Sequence, residues 1–354
     1  MFKESYHVIG VMSGTSLDGV DLAHIHFNRS NEKWHYKIFE CQTVPYSETW
    51  LNNLRTAIDF SPEKLIQLNK DYTVLLGQII NDFIIKNNLK NIDAVCSHGH
   101  TILHQPQNGI TLQIGNLPEL AKQFNQTVVC DFRVQDVQLG GQGAPLVPIG
   151  DRILFSDYNY CLNLGGFSNI SFEQQGIRIA FDISPVNTVL NFYANKLGLA
   201  YDDEGKLARL GNTNLGLLEE LDALDYYQKP HPKSLGFEFV KTIIIPLIES
   251  YAINDQDKMH TFVKHIAKQT ALALPNRNGR MLITGGGAFN TFLIECLKDY
   301  LPDLTLVIPD SKTIEYKEAL IFGLLGVLKL RNEINVLSSV TGSKYDHSSG
   351  FVYH

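Results

Sequence analysis

A loop rich in glycine and hydroxyl residues lies between two apolar runs near the start of the chain, within Met12-Ser13-Gly14-Thr15-Ser16-Leu17-Asp18-Gly19-Val20-Asp21. The flanking runs predict two strands, and Asp18-Gly19 is typical of a hairpin turn. Small residues let backbone N–H groups and hydroxyls converge on an anion, while Asp18 and Asp21 add carboxylates suited to a hydrated Mg²⁺. Residues Gly14 to Asp21 are therefore predicted to bind phosphate and metal. The alternative is an ordinary glycine-rich hairpin, since no Gly-Lys-Ser/Thr is present and a strand follows the loop.

Asp182 is the strongest candidate for a catalytic base. It follows a short predicted strand, Ile177 to Phe181, and precedes a helix predicted to begin at Pro185. A carboxylate at the end of a strand can face a ligand rather than the core, which favours general-base catalysis. The alternative is an N-cap, because Asp is common before helices that begin with proline.

Three histidines, His98, His100 and His104, follow a predicted buried strand, Ile92 to Ser97, which is expected to end in a polar corner. Their spacing suggests a metal site, but no Glu or Cys ligand completes it, since Cys96 belongs to the predicted buried strand. A strand would direct His98 and His100 to one side, where hydrogen bonds satisfy them equally well. Contact with a polar substrate is therefore favoured over a transition metal.

Arg133 and Glu318 are two further charged candidates, each with a structural alternative. Arg133 lies between Asp131 and Asp136, so it forms either an ion pair with them or a fork for a ligand carboxylate. Glu318 is predicted in the first turn of the last helix, where it either compensates the helix dipole or contacts a ligand.

Two later glycine turns resemble the opening hairpin in their arrangement. Gly165-Gly166 stands between predicted strands at Tyr160 to Leu164 and Ile170 to Phe172, so strand, glycine loop and strand recur. Gly285-Gly286-Gly287 follows a predicted strand and precedes a helix, which suits a nucleotide resting on backbone. A duplicated plan of this kind is typical of a two-lobed ATPase that holds phosphates from both sides.

The composition indicates a globular enzyme. The chain has 354 residues, 44% hydrophobic and 19% charged, which favours two domains of ordinary size. The net charge of −7 excludes a global positive field that would attract nucleic acid or an anionic membrane. No export signal is recognisable at the N-terminus, and the cysteines are scattered, which predicts buried thiols in the cytoplasm. The five cysteines are Cys41, Cys96, Cys130, Cys161 and Cys296.

The secondary-structure pattern predicts an α/β fold in two lobes. A strand is expected from Trp34 to Pro45 and a helix from Ser61-Pro62 to Asn87-Asn88. A segment rich in Gly and Pro follows residue 135. Residues 1–135, completed by about 330–354, are predicted to form the N-terminal lobe, and residues 136–330 the C-terminal lobe.

Ten stretches, in order along nearly the whole chain, resemble the anhydro-N-acetylmuramic acid kinases of the sugar kinase, chaperone ATPase and actin superfamily. The stretches are Gly10 to Asp21, Ser97-His98-Gly99, Asp131-Phe132-Arg133, Gly140 to Pro148, Asn163 to Asn169, Phe181-Asp182, Tyr201 to Gly211, Gly285-Gly286-Gly287 with Asn290, Lys317-Glu318-Ala319, and Thr341-Gly342. The resemblance implies a two-lobed actin-like ATPase fold, also called ribonuclease H-like, with mixed sheets flanked by helices and a cleft between the lobes.

The resemblance also implies a role for each candidate. Asp182 is the catalytic base, Gly14 to Asp21 with Gly165 and Gly166 bind the ATP phosphates, and Gly285 to Gly287 bind the nucleoside. His98, Arg133 and Glu318 contact the sugar, Arg133 through the lactyl carboxylate of a muramic sugar. Asp21 holds Mg²⁺ through water. ATP and Mg²⁺ are the implied cofactors and a small amino sugar the implied partner, with neither nucleic acid nor membrane; a homodimer is left open.

The implied reaction converts 1,6-anhydro-N-acetylmuramic acid and ATP to N-acetylmuramic acid 6-phosphate, in cell-wall recycling. Three departures from the family pattern concern fine substrate contacts: Ile183 to Val186 replaces Thr-Gly-Pro-Gly, Phe237 replaces an arginine, and His100 replaces a glutamine. They leave open a kinase of a different amino sugar. A non-catalytic ATP-binding conformational module is the other alternative, and sugar-dependent ADP release distinguishes it from an enzyme.

Overall fold

The computed structural model describes residues 2–14 and 17–354, and the chain divides into two compact units. Unit 1 comprises Met1–Leu154 and Tyr316–His354, and unit 2 comprises Phe155–Glu315. Both predicted boundaries, at residues 135 and about 330, fall inside unit 1.

The boundaries differ because two helices around residues 150 and 320 pack on each other. The buried Lys317 ammonium lies 2.7 Å from Asp151, and Gly150 packs against Ile321. These contacts hold residues 136–154 and 316–330 to unit 1.

In the described residues, groups of strands are separated by one or more helices. The strands are β1 (Ser5–Ser13), β2 (Val20–Ser30), β3 (Lys33–Val44), β4 (Ala94–Gln105), β5 (Ile110–Ile114), β6 (Val128–Cys130), β7 (Tyr160–Leu164), β8 (Phe167–Gln174), β9 (Ile177–Pro185), β10 (Gly279–Thr284), β11 (Leu304–Val307) and β12 (Phe351–Tyr353). The helices are α1 (Glu48–Thr56), α2 (Pro62–Lys86), α3 (Glu119–Phe124), α4 (Val134–Gln138), α5 (Val147–Leu154), α6 (Asn187–Lys196), α7 (Lys206–Arg209), α8 (Leu215–Asp222), α9 (Asp225–Gln228), α10 (Phe237–Phe239), α11 (Ile245–Glu249), α12 (Asp255–Leu272), α13 (Thr291–Tyr300), α14 (Ser311–Leu330) and α15 (Ser338–Thr341).

The sheets of the two units follow one strand plan. In unit 1 the order β3-β2-β1-β4-β6 joins three antiparallel strands to two parallel ones, and β12 and β5 extend it. In unit 2 the order β9-β8-β7-β10-β11 has the same pattern of directions. The predicted α/β class is confirmed, and the duplicated plan is the one expected of an actin-like ATPase.

Helix α2 covers one face of the unit 1 sheet, as its sequence predicts. Ser61 caps the helix by accepting a hydrogen bond from the Lys64 amide at 3.4 Å, and Pro62 occupies the first turn. Its apolar residues recur at helical spacing and are buried in a shared core with β1 and β2. These buried residues are Leu68, Tyr72, Leu76, Ile80 and Phe83.

Helix α14 lies close to the unit 1 sheet because glycines stand at the contact. A side chain at Gly10 of β1 would overlap the Ala319 carbonyl, and one at Gly326 would overlap Cys96 of β4. Residues 319–328 are all buried, so this part of the helix is covered on every side.

Unit 2 has its own core, in which α6, α12 and α13 pack with the sheet. Leu162 of β7 and Ile283 of β10 are fully buried there with Phe262 and Ile266 of α12 and Leu293 of α13. Within the described residues, no helix combines the length and the hydrophobicity that a bilayer-spanning segment needs.

Three element ends differ from their predicted positions, and the two strand ends do so because of pairing that is remote in sequence. Strand β4 runs on to Gln105 because β5 pairs with its second half. Strand β9 continues past Asp182 to Pro185, which pairs with Phe167. Helix α14 begins at Ser311 and is kinked at Tyr316.

The close approach of α14 predicts the effect of one substitution. Gly10→Ala should lower the free energy of unfolding by about 1–3 kcal/mol, because the new methyl group meets backbone that cannot rotate away. Urea denaturation followed by circular dichroism measures the change. Gly216→Ala is the matched control, since its nearest neighbours would lie at 3.5 Å, and it should remain within about 0.5 kcal/mol of the parent. Equal midpoints for the two variants would contradict the packing argument.

Candidate functional site

The turn between β1 and β2 carries the first candidate site of unit 1. The Leu17 amide donates to the Gly14 carbonyl at 3.3 Å, and Leu17 adopts a positive φ of 63°. A side chain at Gly19 would overlap the carbonyl of Val44, so this glycine is required for the turn to pass β3. The predicted phosphate ligands Thr15 and Ser16 lie outside the described residues.

Asp21 lies in β2, beyond the turn, so a role as turn former does not apply to it. Thr43 of β3 stands directly opposite and donates its hydroxyl hydrogen to Asp21 Oδ1 at 2.6 Å. The Tyr316 hydroxyl lies 3.3 Å from Thr43 Oγ1. The Asp21 carboxylate is therefore oriented by a neighbour that the sequence analysis did not identify.

Three residues predicted to contact the substrate come together in unit 1. Arg133 donates from Nε to His98 Nε2 at 2.9 Å and from Nη1 to the Gly143 carbonyl at 3.1 Å. Burial lowers the pKa of Arg133 to about 10, and the Glu318 charge opposes that shift, so Glu318 joins the other two through electrostatics. His98, Arg133 and Glu318 form what we call the Arg133 cluster.

Arg133 is not held by the acidic residues that flank it in sequence. Asp136 accepts hydrogen bonds from the Gly143 amide and from Thr341 Oγ1, both at 2.7 Å. It thus ties the loop after α4 to the C-terminal segment. The guanidinium group instead reaches His98, which is why the structural alternative of an ion pair between Arg133 and Asp136 does not hold.

His98 is neutral, and its hydrogen bonds determine its tautomer. Nδ1 lies 2.8 Å from the Gly99 carbonyl and must donate to it, whereas Nε2 accepts from Arg133. Burial first and the Arg133 charge second lower the pKa of His98 well below its ordinary value. The imidazole therefore serves as an acceptor that positions the guanidinium group.

Glu318 lies well inside α14 rather than in its first turn, so compensation of the helix dipole does not explain it. Its side chain is accessible, yet surrounding protein atoms raise the pKa of its carboxyl group. The Arg133 charge opposes that rise, while Asp21 and Asp18 add to it. The carboxylates of the turn and of α14 thus repel one another within unit 1.

The other two histidines of the predicted polar corner have separate partners. His100 Nδ1 lies 2.7 Å from Ser13 Oγ. The Ser13 hydroxyl lies 2.6 Å from the Tyr46 hydroxyl, which in turn lies 2.6 Å from the Tyr72 hydroxyl. Burial lowers the pKa of His100 to about 4. His104 is exposed and contacts Thr111 at 3.2 Å.

In unit 2, Asp182 lies inside β9, and its carboxylate is held by a loop. Oδ2 accepts the Leu235 amide at 2.9 Å, and the Tyr226 hydroxyl donates to the Asp182 carbonyl at 2.6 Å. Burial raises the pKa of Asp182 and the Leu235 amide opposes the rise. The N-cap alternative fails, because Val186 is the N-cap of α6 and no side-chain bond caps that helix.

The Gly165-Gly166 turn is hydrogen-bonded to the start of α6. The Gly165 amide donates to the Phe167 carbonyl at 3.1 Å, so this N–H is already engaged within the turn. The Gly165 and Gly166 carbonyls accept from the amides of Asn187 and Val186 at 3.2 and 2.8 Å. These bonds fix the turn at the carboxyl end of β7.

Gly285 to Gly287 lie beside that turn, because β7 and β10 are parallel neighbours. A side chain at Gly285 or Gly287 would overlap Leu164, so both glycines are required for close packing. Gly286 has room, since the nearest atom to an added Cβ would be Asn187 Nδ2 at 3.6 Å. Two glycine turns therefore meet at the carboxyl ends of adjacent parallel strands, a common location of ligand sites in α/β sheets.

Sequence patterns did not reveal the residues that position the candidates. Thr43 is one of several polar residues in the alternating strand β3, and the Leu235 contact is made by the main chain. Tyr226 stands 44 residues from Asp182. The loop at residues 233–238, which supplies the Leu235 amide, was indicated only by its departure from the family pattern.

Comparison with known proteins finds matches over nearly the whole chain. Residues 6–354 match the model of the family described as anhydro-N-acetylmuramic acid kinase. The chain is 33% identical to proteins of that name from Francisella tularensis subsp. novicida, covering 97% of each chain, and Haemophilus influenzae, covering 99% of this chain and 98% of the relative. It is 13% identical to component A of the (R)-2-hydroxyglutaryl-CoA dehydratase of Acidaminococcus fermentans, with a TM-score of 0.46 over 92% of this chain and 99% of that one.

The hydrogen bonds of His98 predict its titration. It should stay neutral, with the proton on Nδ1, as the pH falls from 8 to 5, and imidazole ¹⁵N shifts in ring-labelled protein measure this. Its pKa is lowered on folding, so it contributes stability above about pH 6.5 that is lost as the pH falls. Arg133→Ala removes the nearby positive charge and should move the His98 pKa upward. A parent midpoint near 6.5 would contradict the lowered pKa, and a proton on Nε2 of the neutral ring would contradict the tautomer.

Proposed function

The chain belongs to the anhydro-N-acetylmuramic acid kinase family, and we propose that it converts 1,6-anhydro-N-acetylmuramic acid, ATP and water to N-acetylmuramic acid 6-phosphate and ADP. The observation that carries the proposal is the Asp182 carboxylate, whose pKa is raised by burial and whose Oδ2 is held by the Leu235 amide. The step belongs to recycling of the cell wall. Relatives that carry this name match the chain over nearly its full length, which supports the assignment.

Asp182 is assigned as the general base of this reaction. The substrate has no free 6-hydroxyl group, because O6 is bonded to C1 in the anhydro bridge. Asp182 takes a proton from water as the water oxygen attacks C1, and the C1–O6 bond breaks. The released O6 then attacks the γ-phosphorus of ATP, and ADP leaves. A carboxylate in a partly buried position is suited to the proton transfer.

The Arg133 cluster is assigned to the sugar. Arg133 has five N–H donors, and the bonds to His98 and Gly143 involve two of its nitrogens. The guanidinium group is proposed to bind the lactyl carboxylate, which it matches in charge and planar geometry. Glu318, with its raised pKa, is proposed to bind a hydroxyl or amide group of the sugar.

The glycine turns are assigned to ATP. We assign the phosphates to Gly14 to Asp21 with Gly165 and Gly166, and the nucleoside to Gly285 to Gly287. Asp21 would hold Mg²⁺ through water, and bound Mg²⁺ would offset the charge of the phosphates. The donor chemistry fits, because Thr43 orients the Asp21 carboxylate and the mutual repulsion of Asp18, Asp21 and Glu318 favours a cation.

One observation favours a second candidate, a kinase of a related amino sugar. Phe237, which stands where the family has arginine, is 60% exposed and lies two residues after Leu235. The departure therefore falls in the segment that holds the proposed base. A panel of anhydro and free amino sugars, assayed by ADP release, decides between the candidates. Sugar-independent ADP release would instead favour the conformational ATPase.

A cytoplasmic location is part of the proposal, since the reaction consumes ATP. The five cysteines, four of them buried, support a reducing compartment.

Asp182→Asn tests the base. It keeps the size and an oxygen that can accept the Leu235 amide, but it cannot take the proton, so kcat should fall by about 10²–10⁴-fold while ATP and sugar still bind. The reaction is run in ¹⁸O-water, following the label at C1 and phosphate at O6, and both should fail together. The exposed Asp303→Asn is the control and should retain parent activity. Ring opening at the parent rate in Asp182→Asn, or parent product without solvent oxygen at C1, would exclude this mechanism.

Asp21→Asn and Thr43→Val test the metal assignment as a graded pair. Asp21→Asn removes the charge and should reduce turnover with Mg²⁺ and ATP by two or more orders of magnitude, roughly, while the fold is retained. Thr43→Val keeps the shape but loses the hydrogen bond, so the Mg²⁺ concentration for half-maximal rate should rise by about tenfold. Unchanged Mg²⁺ dependence in both variants would remove Asp21 from the metal site.

A further inference from the structure

A main-chain segment, Lys233–Gly236, passes along β9 beside Asp182 and bonds to it twice. The Asp182 amide donates to the Lys233 carbonyl at 3.1 Å, and the Leu235 amide donates to Asp182 Oδ2 at 2.9 Å. Among the described residues, Asp182 Oδ1 accepts no hydrogen bond. The two carboxylate oxygens of the proposed base are therefore inequivalent.

We propose that the Leu235 N–H is a positioning group that commits Oδ2 of Asp182 and leaves Oδ1 as the oxygen that takes the proton from water. The proposal rests on the proposed role of Asp182 as the base. It adds to that role which carboxylate oxygen accepts the proton and which group holds the carboxylate in place. The hydrogen bond from this segment to the carboxylate is donated by main chain.

Tyr226 contacts both this segment and Asp182. Lys233 Nζ donates to the Tyr226 carbonyl at 3.3 Å and lies 4.8 Å from the centre of the Tyr226 ring. The Tyr226 hydroxyl in turn donates to the Asp182 carbonyl at 2.6 Å. Backbone and carboxylate of Asp182 are thus held by one small set of contacts, so the carboxylate has little freedom to rotate.

The amide also balances the effect of burial on the base. Burial raises the pKa of Asp182, whereas an N–H that donates to the carboxylate stabilises the charged form and lowers it. A base must be deprotonated at the working pH and still basic enough to accept a proton. By opposing the effect of burial, the Leu235 amide favours the charged form, which is the form that accepts a proton.

The departure from the family pattern is consistent with a main-chain contact. The chain has Lys233-Ser234-Leu235-Gly236-Phe237-Glu238 where the family has Lys-Ser-Thr-Gly-Arg-Glu. Every amino acid except proline supplies an amide N–H, so the change to Leu235 preserves the bond. A side-chain contact would have been lost.

The test removes the N–H of residue 235 while keeping its side chain. Replacing the Leu235 amide by an ester, through incorporation of the α-hydroxy analogue of leucine, deletes the donor and keeps the side chain. Leu235→Pro is the genetically simple form, and Leu235→Ala, which retains the N–H, is the matched control. Thermal unfolding and ATP binding establish that each variant is folded.

The readout is the pH dependence of kcat with the anhydro sugar. Loss of a bond to the charged form raises the pKa of the base, so the acid limb of the ester variant should move up by about 1–2 pH units. At a pH below both midpoints this is a loss of about 10–100-fold, which recovers in part at higher pH. Leu235→Ala should keep the parent profile.

A parent profile and parent kcat in the ester variant would overturn the proposal, whatever the fate of Leu235→Pro. Asp182→Asn separates this failure from failure of the proposed function. If Asp182→Asn is inactive while the ester variant behaves as the parent, only the role of the Leu235 amide is excluded. If Asp182→Asn remains active, Asp182 is not the base and both proposals fail.

Discussion

Close contact between helix α14 and the sheet is the constraint on which unit 1 depends. Gly10 and Gly326 stand where an added Cβ would meet backbone or a neighbouring side chain, so the helix can lie directly against β1 and β4. That approach brings the Tyr316 hydroxyl to Thr43 and the Glu318 carboxylate within electrostatic reach of Arg133 and Asp21. The positions of the charged groups thus depend on the packing of small residues against the same helix.

Unit 2 has the same strand plan as unit 1, but its candidate carboxylate, Asp182, is oriented by a different kind of hydrogen bond. The unit 1 carboxylate, Asp21, is oriented by a side-chain hydroxyl on the adjacent strand, whereas Asp182 is oriented by main-chain amides and carbonyls of a loop. A main-chain contact constrains geometry without constraining residue type. This difference explains how the loop at 233–238 can depart from the family pattern while the Leu235 amide still bonds to Asp182.

Burial and hydrogen bonding act in opposition at each candidate group. Burial lowers the pKa of His98 and raises that of Asp182, and the protein atoms around the accessible Glu318 raise its pKa, so the neutral form of all three is favoured. The Leu235 amide and the Arg133 charge then stabilise the two carboxylates in their charged forms. The resulting groups have pKa values displaced from the ordinary range in a direction that suits proton transfer and recognition of polar ligands.

The sequence by itself determined the local structure and the identity of the candidate residues. Ser61-Pro62 and the apolar spacing that follows are local signals, and α2 forms where they predict it. The recurrence of strand, glycine turn and strand likewise indicated the duplicated plan, because turn chemistry is encoded within a few residues. Motif resemblance then selected Asp182, His98, Arg133 and Glu318.

Only the tertiary structure decided what those residues contact. Arg133 is flanked by acidic residues, yet it bonds to His98, 35 residues away; Asp182 bonds to the Leu235 amide, 53 residues away. Pairing with β8 carries β9 past Asp182, and the helix that holds Glu318 begins earlier than its apolar pattern suggests. Such contacts depend on which strands pair and how closely a helix packs, and these are properties of the whole chain that no short window of sequence contains.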